Sequence, residues 1–121
     1  MRARTLCAGD RGSGSVLVLA VIAVALALAL GLGLVARAHV ARVGAESAAD
    51  LAALAAATAL ARGGDACATA REVVARNSVD LVSCNAEGTG AVQVEVTRNV
   101  SALGRASAQA RAGPSWLRDV R

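Results

Sequence analysis

Phenylalanine, tyrosine and lysine are absent from the chain, Trp116 is its one tryptophan, Pro114 its one proline and His39 its one histidine. Aromatic side chains supply the largest buried areas in ordinary cores, so any core here is thin and built from Val, Leu and Ala. All 13 basic residues are arginine, and the net charge of +4 is scattered along the sequence. With no basic run and no interleaved aromatics, nucleic-acid binding is excluded as a reading. A lone histidine without CxxC or HxxxH spacing offers no metal site. Neither Ser47 nor Cys67 stands in a nucleophile motif, and Gly12-Ser13-Gly14 lacks the lysine of a phosphate loop. Glu46 and Asp50 fall on a solvated helical face. The expectation is therefore a non-enzymatic protein with no cofactor and no small-molecule substrate.

Of the 121 residues, 55% are hydrophobic, with alanine the commonest. That length suits one structural unit, and a core this thin needs a membrane, a staple or a partner to hold it. The abundance of Ala, Gly, Val and Arg is the codon bias of a GC-rich genome and says nothing of function.

Val16 to Ala36 is a run of 21 residues without a charge or strongly polar group. As a helix rising about 1.5 Å per residue it spans about 30 Å, the thickness of a bilayer's hydrocarbon core. Arg2, Arg4 and Arg11 precede it, against Arg37 and Arg42 behind, so the positive-inside rule favours a cytoplasmic N-terminus. A cleaved signal is the competing reading, because Ala36-Arg37-Ala38 has the small-x-small form of a signal-peptidase site. Signal peptides, however, carry shorter apolar runs of about 7–15 residues. Within the span Ala20, Ala23, Ala27 and Gly31 share one helical face, where small side chains permit close approach of a neighbouring helix in lipid. Ala25, Ala29 and Gly33 form a second such stripe.

Beyond the span, alanine dominates to Arg62 and no proline intervenes, so the helix is expected to continue from Ser15 to Arg62, roughly 70 Å in all, with Gly44 as a candidate kink. Val40, Val43, Ser47, Leu51, Leu54 and Thr58 recur at spacings of three and four as a narrow, mostly apolar stripe. Arg42 and Glu46 form an i,i+4 pair. The alanine-rich face of Ala48, Ala49, Ala52 and Ala56 is expected to pack on a sheet or a neighbouring helix. Gly63-Gly64 marks the stop.

Asp65 is a fitting N-cap for a short helix to Asn77. Val79–Asn85 reads as a strand, Glu87-Gly88-Thr89-Gly90 as a turn, and Ala91–Arg98 alternates apolar and polar as a half-buried strand. A third strand is expected within Asn99–Ala110, weakened by Gly104. The fold class is thus α+β, with a long N-terminal helix, a short second helix and a small antiparallel sheet. The expected divisions are a cytoplasmic segment 1–14, the helix 15–62 with its transmembrane part 16–36, an extracytoplasmic α+β domain 63–112 and a flexible tail 113–121. Cys67 and Cys84 fall in the outer part, where a bond would close an 18-residue loop and contribute about 3 kcal/mol. The alternative is two small buried thiols. Cys7 has no assigned role.

Arg11-Gly12-Ser13-Gly14-Ser15-Val16 running into an apolar helix, followed by Ala48-Ala49-Asp50-Leu51-Ala52-Ala53-Leu54-Ala55-Ala56-Ala57, resembles the TadE/TadG-like proteins of Flp (tight adherence) pilus assembly. The Gly64-Asp65-Ala66-Cys67, Asn77 and Cys84 pattern is similar to a short subgroup from high-GC Gram-positive bacteria, encoded beside a helicase and secretion genes. The resemblance covers about Arg11 to Ala112. It implies a pilin-like fold, a single-pass plasma-membrane protein, and partners among pilin-like subunits and pilus-assembly or secretion proteins. One feature departs from prepilins, which carry a glutamate five residues beyond the cleavage glycine: Leu19 holds that place after Gly14, and Leu17 after Gly12. An accessory role in assembly is therefore expected. The rival functions are a small binding domain released after Ala38 and a small membrane regulator of another complex.

Overall fold

A computed structural model of the chain describes residues 12–118. Arg2, Arg4, Arg11 and Cys7, most of the expected cytoplasmic segment, and the last three residues of the tail lie outside them. Helix α1 (Ser13–Ala61) is shared between two compact units that divide at Ala36 and Arg37. The second unit adds α2 (Ala66–Arg76) and three strands, β1 (Asp80–Ala86), β2 (Val92–Val100) and β3 (Gly104–Ala112). The strands form one antiparallel sheet in the order β1-β2-β3. The α+β architecture is the one the sequence patterns describe.

Each helix in the second unit stops for a local reason. Gly63, with φ +76°, takes the left-handed turn after α1; Gly64 N–H donates to Ala59 C=O at 2.9 Å and Gly63 N–H to Leu60 C=O at 3.0 Å. These are the paired bonds that satisfy carbonyls at a glycine-terminated helix end. Asp65 then caps α2, accepting from Ala68 N–H at 3.0 Å. At the far end of α2, Val79 N–H reaches Val74 C=O, and the left-handed place is held by Ser78, φ 55°. A Cβ in that conformation costs energy that glycine avoids. Gly44, the candidate kink, lies within helical backbone and serves another purpose. A Cβ there would come within 2.5 Å of Nη1 of Arg98. The missing side chain leaves room for the guanidinium, whose Nη2 donates to Asn77 C=O at 3.2 Å.

Period-two alternation sets the core. Val92, Val94 and Val96 are fully buried, while Gln93, Glu95 and Thr97 take the other face. In the same cluster are Ala45, Ala48, Ala49, Ala52, Ala53 and Ala56 of α1, and Ala66, Ala70 and Val74 of α2. Strand β1 obeys the alternation only with an interruption. Leu81 pairs with Val96 and Ser83 with Glu95, so Val82 is an extra residue bulged out of the ladder. The bulge places Leu81 and Cys84, three apart, on the core side together and leaves Val82 exposed. Cys84 is thereby brought to Cys67 of α2, Cα–Cα 5.8 Å, and the two form a disulfide.

The third strand is shorter at its start than the expected Asn99–Ala110. Ser101–Leu103 forms a 3-10 turn and Gly104, φ +91°, completes the reversal, so residues 99 and 100 belong to β2 instead. Ser115–Arg118 forms a 3-10 turn in the stretch read as a flexible tail, and Leu117 closes against Gly113, whose Cβ would meet Leu117 Cδ1 at 3.1 Å.

Replacing Cys67 and Cys84 together by serine should lower stability by about 3 kcal/mol. In thermal unfolding of the detergent-solubilised chain that is a drop of roughly 12–24 °C, and an unchanged midpoint would contradict it. In the same thermal assay Ser78→Gly should act in the opposite sense, raising stability by about 1 kcal/mol, because glycine takes the left-handed φ of 55° without a Cβ clash.

Candidate membrane and assembly surfaces

The first unit presents one kind of surface. Along α1 from Ser13 to Ala36 every residue is exposed, and the large side chains from Val16 to Val35 are 49–72% open. Soluble proteins rarely leave so large a contiguous apolar surface in water. By length and composition this helix can cross a membrane. Ala20, Ala23, Ala27 and Gly31 lie on it, and a Cβ added at Gly31 or Gly33 would meet nothing within 4 Å.

The second unit treats the two faces of α1 differently. Ala48, Ala49, Ala52 and Ala56 are turned inward, at most 2% exposed, against the chain's own sheet. Methyl groups fill this contact, and a longer side chain there would overpack it. The larger apolar residues Val40, Val43, Leu51 and Leu54 are instead 45–67% exposed, and Ser47 and Thr58 share that openness. Sequence reasoning found this stripe without finding that it faces outward. The competing signal was present, because Ala41, Ala45, Ala48, Ala49, Ala52, Ala53 and Ala56 also recur at helical spacing.

Charged side chains of the described residues pair locally on these surfaces. Arg42 Nε meets Glu46 Oε1 at 3.1 Å, and both side chains are more than half exposed. Arg76 pairs with Glu72 along α2, while Arg111 pairs with Glu87 and ties the end of β3 to the turn between β1 and β2. Exposed pairs of this kind are each worth under about 1 kcal/mol. Among the described residues no group of three or more His, Cys, Asp or Glu is placed to hold a metal ion. Two open grooves flank α1, one lined by Arg42, Leu103 and Arg105, the other by Asp50, Leu54 and Arg111.

A family model described as "Putative Flp pilus-assembly TadE/G-like" matches residues 12–59. Over that stretch the chain is similar to the TadE/G-like family. The matched residues take in the exposed apolar span and all of the buried alanine face that packs on the sheet. No curated protein matches the chain, and no solved structure does. The TadE/G-like match points to a component of Flp pilus assembly, and the apolar helix is compatible with membrane anchoring.

The two faces of α1 differ in what they tolerate. Ala49→Leu should overpack the helix–sheet contact and cost about 1–3 kcal/mol. Leu51→Ala, on the open side, should shift stability by no more than about 0.5 kcal/mol. Thermal unfolding of the two variants in the same detergent checks this; equal losses would mean that the alanine face is not the packed one.

Proposed function

We propose that this chain is a non-catalytic, pilin-like accessory component of a Flp/Tad-type pilus or related secretion apparatus, of the short high-GC Gram-positive kind. Residues 16–36 anchor it in the plasma membrane, and the domain 63–112, with the outer part of α1, stands on the extracytoplasmic side. The observation that carries this reading is the TadE/G-like match laid over a helix with an apolar, uncovered span. Two further features support the orientation. Arginines 2, 4 and 11 precede the span, and the Cys67–Cys84 bond belongs to an oxidising compartment. Ala20, Ala23, Ala27 and Gly31 then face other membrane helices of the assembly, where small residues allow close packing.

A second reading is favoured by where the units divide. Signal-peptidase cleavage after Ala38 would leave every buried side chain of the second unit, from Ala41 onward, intact. N-terminal sequencing of the mature protein separates the two. An intact start, or one at Ser15, together with mild crosslinking to pilus-assembly proteins in membranes, is expected. A start at His39 with the protein released into the medium would overturn the anchored component in favour of a secreted binding domain.

A further inference from the structure

Of the sheet's two edges, one is interrupted and the other is not. Strand β1 is broken by the bulge at Val82, whereas β3 keeps an unbroken register with β2 along all of Gly104–Ala112. No proline, bulge or inward-pointing charge marks this strand, and those are the devices by which edges usually avoid further pairing. Among the described residues, no backbone hydrogen bond reaches it from outside the β2 ladder. Space lies along the same edge. Arg105, Ala106 and Ser107 line one groove of about 380 Å³, together with Ala38 and Arg42 of α1. Arg111, Ala112 and Gly113 line another of about 1160 Å³, with Asp50, Ala53 and Leu54. Successive residues of a strand point to opposite faces, so a hollow touched by neighbouring residues of one lies at its edge. The core is also less closed there: Ala108 and Ala110 are each 8% exposed, where Val92, Val94 and Val96 of β2 are at 0%.

Charge decides what fits that edge. Alternation puts Arg105 and Arg111 on the face away from α1; Arg111 is shared with Glu87, and Arg105 has no salt-bridge partner among the described residues. A second β3 paired antiparallel along its full length would set Arg105 opposite the copy's Arg111 twice over. Like charges directly opposite one another are destabilising. We infer that the free edge of β3 accepts an extended segment of another protein, one that alternates apolar and acidic side chains. Residues opposite each other in a ladder share a face, so the acids stand beside Arg105 and Arg111. The apolar set continues the row of Ala106, Ala108, Ala110 and Ala112 and faces α1, where Ala53 and Leu54 line the larger groove. Main-chain hydrogen bonds supply the affinity of such an added strand, and the alternation supplies its specificity. The edge lies wholly within the second unit and does not rest on the membrane-anchored reading.

The test uses the full chain in detergent and an end-blocked peptide of about nine residues alternating valine with glutamate, the length that matches β3. Its controls are the lysine counterpart and a glutamate peptide with two adjacent prolines at its centre, one of which must fall on the bonded side. Fluorescence anisotropy should show saturable binding of the glutamate peptide, about tenfold tighter than either control. Hydrogen exchange read by mass spectrometry should slow several-fold at backbone amides within 104–112 and stay unchanged in β1. Arg105→Glu should weaken the glutamate peptide about fivefold and strengthen the lysine peptide. No binding, equal binding of all three peptides, or binding without slowed exchange in β3 would overturn the proposal. So would protection of the same amides that rises with protein concentration and needs no peptide, which would assign the edge to a second copy. The exchange measurement is made on the unmodified chain, so it decides between these outcomes even if the Arg105 variant fails to fold.

Discussion

Along the inward face of α1, from Ala45 to Ala56, no side chain extends beyond a methyl group, and these alanines share one buried cluster with Val92, Val94 and Val96. Dispersion attraction falls steeply with separation, and a gap of 0.5–1 Å already forfeits about a quarter to a half of it. A core with no aromatic residue in it has nothing large to bridge such a gap. The seating of the alanine face on the sheet is therefore the contact on which packing of the second unit depends.

Much of the remaining structure keeps that seating in place. The disulfide fastens α2 to β1, and the bulge at Val82 is what lets Cys84 reach it from the core side. Arg98 spans from β2 to the C-terminal carbonyl of α2 while its guanidinium occupies the space left by Gly44. An alanine at Gly44 would meet the end of a flexible side chain and not backbone, so the helix itself would have little cause to move. Asp65 and the Gly63-Gly64 turn settle where α1 ends and α2 begins, which fixes the angle at which α2 joins the core.

What could be read from the sequence divides along a physical line. The apolar span, the glycine stop after α1, the Asp65 cap and the valine alternation of β2 depend on the local chain, and all were legible. The inward face of α1 was less so, because alanine weighs little in apolar patterns and the Val40–Leu54 stripe dominates them. Which face is buried was decided by the room the sheet requires, a property of the partner surface. The same holds for β1, where the extra residue at Val82 is defined only by its pairing with β2. The corner at Ser101–Leu103 was hidden in a run with strand-like composition, and only Gly104 hinted at it. The resemblance to TadE/TadG-like proteins was legible in the ordered segments from Arg11 onward, and the family match over residues 12–59 supports it. The particular subgroup and the exact place in an assembly rest on features that no fold describes.

The period-two pattern of β2 leaves a second mark on the molecule. Its neighbours continue the same rule outward: Ser83 and Asn85 of β1, and Arg105, Ser107, Gln109 and Arg111 of β3, join Gln93, Glu95 and Thr97 on the side away from the helices. That side carries hydroxyls, amides and charges of both signs, with the bulged Val82 as its large apolar interruption. Such a mosaic is readily wetted and gives another protein little to adhere to. A face of that kind can stay in water, so this sheet needs a covering layer on its helical side alone.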